Sequence, residues 1–162
     1  MLSWCIVTPG YGALAAEKLL VTGWSEWVRL FPGDIVVKAK LDTGAKTPSI
    51  DARGVKLYKK DGKPWAKFRF TNNAGESIVM DRPVVKNARI KDLSGPSHRR
   101  PVVKLGICLG DRYLITEVNL YDRSRFNFRL LLGRRFLGPA SIAVNANRQY
   151  TVMPTCQKVE EP

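Results

Sequence analysis

The residues best suited to chemistry are Asp42 and the three small residues that follow it, Thr43, Gly44 and Ala45. A carboxylate among small side chains can meet a second group at a shared centre and work there as a general acid or base. Gly44 permits either a turn with positive φ or the close approach of another backbone, and the Thr43 hydroxyl can donate and accept hydrogen bonds. Asp and Gly are also common turn formers, so the tripeptide alone describes an ordinary turn equally well. Other chemistries have little support. His98 is the only histidine and there is no His-Glu-x-x-His, so a catalytic zinc site is not expected. A Ser-His pair lacks a Gly-x-Ser-x-Gly elbow, and ATP binding lacks a phosphate loop. Cys5, Cys108 and Cys156 are scattered without Cys-x-x-Cys spacing, and at least one of the three has no partner within the chain.

The element that must position Asp42 is the run before it. Ile35, Val37, Ala39 and Leu41 share one face at period two and Lys38 and Lys40 the other, which predicts a half-buried strand. Ahead of it, Trp24, Trp27, Val28 and Leu30 supply bulky packing before Pro32-Gly33 turns the chain. The pattern stays β afterwards. Residues 55–58 and 65–70 flank the turn signal Lys60-Asp61-Gly62-Lys63, and short strands are expected at 77–80 and 83–90 around Asp81-Arg82. A polar loop, Lys91 to His98, precedes strands at 99–109 and 113–120 joined through Gly110-Asp111. Leu130 to Leu132 reads as a buried strand ending at Gly133, with a short helix after it. Residues 141–144 and 149–152 are expected to pair around Asn145-Ala146-Asn147. Strands this frequent with so little helix predict an all-β barrel or sandwich. A chain of 162 residues fits one domain with a sizeable core.

Charge is the unusual bulk property. Lys and Arg number 27 against 14 Asp and Glu, a net +13 that draws nucleic acid, anionic lipid or acidic polypeptide. Aromatics and cations alternate in Trp65-Ala66-Lys67-Phe68-Arg69-Phe70, but Trp65 and Phe68 differ in parity, which argues against a continuous stacking stripe for nucleic acid. No specific nucleic-acid partner is expected, and no run is long enough to span a membrane.

The motifs carry a resemblance. Asp42-Thr43-Gly44-Ala45 after an apolar strand, with Leu131-Leu132-Gly133-Arg134 later in the chain, resembles the single-domain retropepsin-like aspartic proteases. Gly23 to Val28, Lys38 to Thr47, Arg100 to Val103 and Asp122-Arg123-Ser124 are similar to the bacterial RimB-like family, whose common label speaks of an ATP-dependent zinc protease; this sequence has neither a zinc constellation nor a nucleotide loop. The resemblance spans about residues 23 to 153. It implies a small closed barrel of the retropepsin-like acid protease type with one short C-terminal helix, and no cofactor. It further implies an aspartic peptidase with Asp42, Thr43 and Gly44 as catalytic residues, working as a homodimer that brings two Asp42 carboxylates together. Ala45, Lys46 and Arg134 are the implied substrate-binding residues. An acidic residue often follows Asp-Thr-Gly-Ala and pairs with the later Arg; Lys46 stands here instead, leaving Asp51 or Asp122 to pair with Arg134. Lys91 to His98 is the candidate flap. The family is associated with cleaving polyglutamate, and a cleft rimmed by Lys38, Lys40, Lys46, Arg99, Arg100, Arg134 or Arg135 suits an anionic peptide. The alternative is a non-catalytic basic β-barrel that binds nucleic acid or an acidic protein.

The ends are assigned by composition. Residues 1–22 read as a leader, with Leu2 to Val7 as a short apolar region and Ala13-Leu14-Ala15 as a small-residue cleavage pattern. Residues 23–153 form the domain and 154–162 a tail. The leader points to a periplasmic or secreted protein, with a cytoplasmic location as the alternative.

Overall fold

The computed structural model describes residues 18–90 and 98–156. Eleven strands and one helix follow in order: β1 Leu20–Gly23, β2 Ser25–Phe31, β3 Ile35–Leu41, β4 Ser49–Asp51, β5 Arg53–Lys60, β6 Lys63–Thr71, β7 Ser77–Ile90, β8 His98–Leu109, β9 Arg112–Tyr121, β10 Leu130–Leu132, α1 Arg134–Leu137 and β11 Ile142–Asn145. The leader residues 1–17, the candidate flap residues 91–97 and the last residues 157–162 lie outside the described part.

β3 shows why the sequence reads so clearly there. Its burial alternates strictly, with Ile35, Val37, Ala39 and Leu41 in the core and Val36, Lys38 and Lys40 turned outward. Period-two burial is what a strand with one wet face produces. The ladder β2-β3-β10-β4-β9-β8 then returns to β2, because Arg29, Leu30 and Phe31 pair with Cys108, Ile107 and Gly106 of β8. Six strands therefore close into a barrel, which leaves no free edge within the ring. β8 serves both sides of this seam. Its C-terminal part pairs with β2, and its N-terminal part, up to Val103, pairs with β7. From there β7, β6 and β5 extend the sheet out of the ring.

The core fills the barrel and the space under that extension. Phe68, Phe70, Met80, Leu105, Ile107, Leu130, Leu132 and Phe136 are all essentially inaccessible. The β5–β6 turn is as its sequence predicts: Asp61 and Gly62 have φ of 49° and 73°, the two positive values that the hairpin-matching type I′ turn requires.

Two expectations need correction. Residues 77–90 form one continuous strand, since Asp81 and Arg82 stay in ladder register with Lys67 and Ala66 of β6. β11 does not pair with 149–152; it runs parallel to β1, Leu20 opposite Ile142 and Gly23 opposite Asn145. Thr151 and Val152 instead lie against the buried Glu26, whose carboxylate accepts from the amides of Gly23, Thr151 and Val152 and from the Thr151 hydroxyl. The cysteines also prove informative. Cys108 and Cys156 form a disulfide across 48 residues, and the Thr155 amide donates to the Gly110 carbonyl, so the segment after Pro154 is tied to the barrel as far as Cys156.

Candidate active site

Asp42 stands where two strands end side by side. β3 and β10 run parallel with Leu41 opposite Leu132, and the Asp42 amide donates to the Leu132 carbonyl at 2.9 Å. On the other side the Leu41 amide donates to the Trp24 carbonyl. The backbone at Asp42 is thus fixed from both flanks before its side chain is considered. That side chain is half-buried, 28% exposed.

The four-residue turn then folds back on the carboxylate. Oδ1 accepts from the amides of Gly44 at 3.0 Å and Ala45 at 3.2 Å. Oδ2 faces Lys40 Nζ at 3.5 Å. A Cβ at Gly44 would sit 3.1 Å from Oδ1, so close approach to the carboxylate is the reason for glycine here. The start of α1 braces the same turn. Arg134 and Arg135 donate their amides to the Ala45 and Lys46 carbonyls, and Arg134 Nη1 donates to the Thr43 and Gly44 carbonyls, both at 2.8 Å. Gly133 makes that docking possible: a Cβ there would lie 2.8 Å from the Ala45 carbonyl oxygen.

Arg134 therefore has main-chain partners, not Asp51 or Asp122. Asp51 is buried and taken: it accepts from Arg53 Nε, Arg129 Nη1 and the Arg123 amide. Asp122 accepts from Ser124 and from Arg53. Arg134 reaches the turn through the Thr43 and Gly44 carbonyls, and Lys46 offers it no carboxylate.

Beside the turn opens a cleft of about 620 Å3. Ala45, Lys46 and Thr47 form one wall, Lys86, Ala88 and Arg89 of β7 with Arg100 of β8 another, and Ser49, Asn119, Arg123, Leu131 and Arg135 complete the lining. Six of these residues are cations and none is a carboxylate. Of the expected rim, Lys46, Arg100 and Arg135 line the cleft. Lys38 instead lies over Trp27 and Tyr150, Lys40 faces Asp42, Arg134 braces the turn, and Arg99 does not line it. The strands flanking residues 91–97 wall this cleft, while those residues themselves lie outside the described part.

Several of these groups were not singled out from sequence. Arg123 sits inside a stretch quoted for the family resemblance, but nothing marked it as buried. It is 6% exposed, donates from Nε to the Phe128 carbonyl, and its pKa is lowered by burial. Asp51 opposes that shift, Arg100 adds to it, and the Asp42 charge favours the cationic form. Lys86 and Arg89 carry no local signal, since only the fold turns β7 towards the cleft. Glu117 bridges Lys86 and Arg135 from the far side, and its carboxyl is held low chiefly by the hydrogen bond from Lys86. Ser49 Oγ and Asn119 Oδ1, of two residues in the cleft lining, are buried without a hydrogen-bond partner, which leaves polar atoms unmatched among the cations.

An aspartic dyad needs two carboxylates. Among the described residues of one chain, no second carboxylate hydrogen-bonds Asp42, and no group of three or more His, Cys, Asp or Glu side chains could hold a metal. No described helix is long and apolar enough to cross a membrane.

A family model described as RimB-like, retropepsin-like aspartic endopeptidase RimB, matches residues 21–155. The chain belongs to the RimB-like family. Similar curated proteins are probable alpha-L-glutamate ligases from Shewanella pealeana, 33% identical over 124 residues, and from Desulfotalea psychrophila, 34% identical over 124 residues. Each alignment covers 74% of this chain but only 27% and 26% of the relative, so the chain spans about a quarter of their length. Among solved structures, a Legionella pneumophila protein of unknown function is 33% identical with a TM-score of 0.71, covering 81% of this chain and 96% of that one.

Proposed function

We propose that this RimB-like chain is an aspartic endopeptidase in which two copies each contribute Asp42 to one centre, and that its substrates are acidic, glutamate-rich peptides. The observation that carries the reading is Asp42 itself: a carboxylate fixed at a strand end, one oxygen held by two backbone amides, opening beside a cleft lined by cations. Two such carboxylates about 3 Å apart cannot both ionise cheaply, so they share one proton. The ionised member takes a proton from a water lying between them, and that water attacks the peptide carbonyl. The protonated member donates to the carbonyl oxygen, giving a gem-diol. The proton taken from the water then passes to the leaving nitrogen as the C–N bond breaks, and a gem-diol hydroxyl returns its proton to the dyad. Thr43 and Gly44, exposed at the tip of the turn, meet the second copy and the substrate backbone.

Substrate chemistry follows from the cleft. Glu117 already bridges Lys86 and Arg135, and Lys46, Arg89, Arg100 and Arg123 present further carboxylate-binding groups, with no acid among the described lining residues. The relatives named as glutamate ligases support the same choice, since joining glutamates through their α-carboxyl groups makes an acidic peptide. The Cys108–Cys156 disulfide supports a periplasmic or secreted location, where such bonds persist.

Asp42→Asn tests the reading. It keeps the turn's hydrogen-bond acceptor and removes the titrating group, so cleavage of glutamate-rich peptides should fall to background while the melting temperature stays near that of the parent. Retained cleavage in Asp42→Asn would remove the aspartic mechanism. Charge-driven binding with no cleavage in either protein would favour the non-catalytic barrel instead.

A further inference from the structure

Away from the cleft, β5 and β6 hold an arrangement that costs stability. Their register sets Arg53 opposite Arg69, Lys56 opposite Lys67, and Lys60 opposite Lys63. Like charges directly opposite in an antiparallel pair repel. Arg53 is relieved by Asp51 and Asp122, but Lys56, Lys67 and Arg69 have no ion pair among the described residues. Asp81 faces Lys67 from β7, yet its carboxylate accepts the Tyr58 hydroxyl. Arg53, Lys56, Lys67, Arg69 and Val79 line a second concavity of about 460 Å3 here, where β5 bulges between Arg53 and Lys56.

β5 is also open. It ends the sheet order, so its outer edge carries no strand among the described residues, and it is exposed from Gly54 to Lys60 on both faces. Val55 and Leu57, 37% and 61% exposed, stand on the face opposite Lys56 and Lys60. Lysines on an edge strand can serve simply to discourage pairing with other chains. That explains Lys56, Lys59 and Lys60. It does not explain Lys67 and Arg69, which sit on the inner neighbour and add to the repulsion.

We propose that the open edge of β5 binds an extended acidic polypeptide segment as an added strand, with carboxylates over Lys56, Lys67 and Arg69 and apolar side chains over Val55 and Leu57. Strand addition uses the free backbone groups for affinity and alternate side chains for selection. The occupant is therefore a segment alternating acidic and apolar residues, about as long as β5. A second copy of β5 does not fit, because its own lysines would meet these. Nucleic acid fits less well, because the two aromatics on the charged face are occupied: Lys60 Nζ lies 4.5 Å from the Trp65 ring centroid and Tyr58 holds Asp81.

The test uses the full chain carrying Asp42→Asn, so that no peptide is cut, and a fluorescein-labelled, end-capped peptide of alternating Glu and Val matched to the 8 residues of β5. Fluorescence anisotropy reads binding, and hydrogen exchange reads where it occurs. The expected result is binding with slowed exchange at amides within residues 55–60, weakened about tenfold by Lys56→Gln with Lys67→Gln as two charge-assisted contacts are lost. Three results would overturn the proposal: unchanged affinity in that double variant, protection confined to the cleft walls at 45–49 and 86–89, or tighter binding of single-stranded oligothymidine than of the peptide. The cleft result would leave the peptidase reading intact while ending this one.

Discussion

At Asp42 the decisive quantity is a few tenths of an ångström. The carboxylate is fixed because two amides of its own turn reach Oδ1, and they reach it because Gly44 has no Cβ. Gly44→Ala should therefore act on the carboxylate more than on the fold. A Cβ 3.1 Å from Oδ1 rotates the carboxyl or loosens the turn, and the expected outcome is at least about a tenfold fall in kcat, a misplacement effect. The melting temperature should change little, and steady-state kinetics beside a thermal melt would separate the two. Glu117 gives a second prediction, in pH. Its carboxyl is held below the ordinary 4.5 by the Lys86 hydrogen bond, which outweighs its burial, with help from the charges of Lys86, Arg135 and Lys104. A group whose folded pKa is depressed contributes stability above its unfolded pKa and loses it as pH falls through the folded value. The stability margin of the parent over Glu117→Gln should accordingly be full at neutral pH and shrink as pH drops below about 4.5, as read by urea titrations at a series of pH values. A margin constant across that range would mean that the Glu117 bridge contributes nothing.

Elements divide into those announced by local pattern and those fixed by distant partners. β3 and the β5–β6 hairpin were legible because alternation and the Asp61-Gly62 turn are properties of neighbouring residues. The parallel pairings were not. β10 meets β3 and β1 meets β11 across most of the chain, and no turn chemistry records such a pairing. The same holds for the cleft. Asp42 and its small neighbours stand together in sequence, whereas Lys86, Arg89, Arg100 and Arg135 converge only once β7 and β8 lean beside α1. Arg134 shows the limit from the other side: sequence suggests an acidic partner, and main-chain carbonyls take that place. The β5–β6 ladder yields a prediction at this scale. Lys56→Glu sets a carboxylate opposite Lys67 without facing Asp81, turning repulsion into attraction, and should raise stability by roughly 0.2–1 kcal/mol. Chemical denaturation would detect it as a higher midpoint at unchanged slope. A lower midpoint would show that the ladder carries no repulsion.

For the whole molecule, the net charge of +13 sets how it meets anything acidic. Exposed charges feel one another over about 10 Å at 0.1 M salt and about 3 Å at 1 M. The KM for a glutamate-rich peptide should therefore rise steeply with salt, while that for an uncharged peptide should barely move. Parallel kinetics in low and high sodium chloride would read the difference, and equal salt dependence would detach the basic cleft from substrate choice. The Cys108–Cys156 bond has a different reach. It encloses β9, β10, α1 and β11, so it encircles both the strand that anchors Asp42 from behind and the arginine that braces its turn. A single protease cut between those cysteines would release nothing: the two fragments stay shackled until a reductant arrives, and the damage would pass unseen on a non-reducing gel.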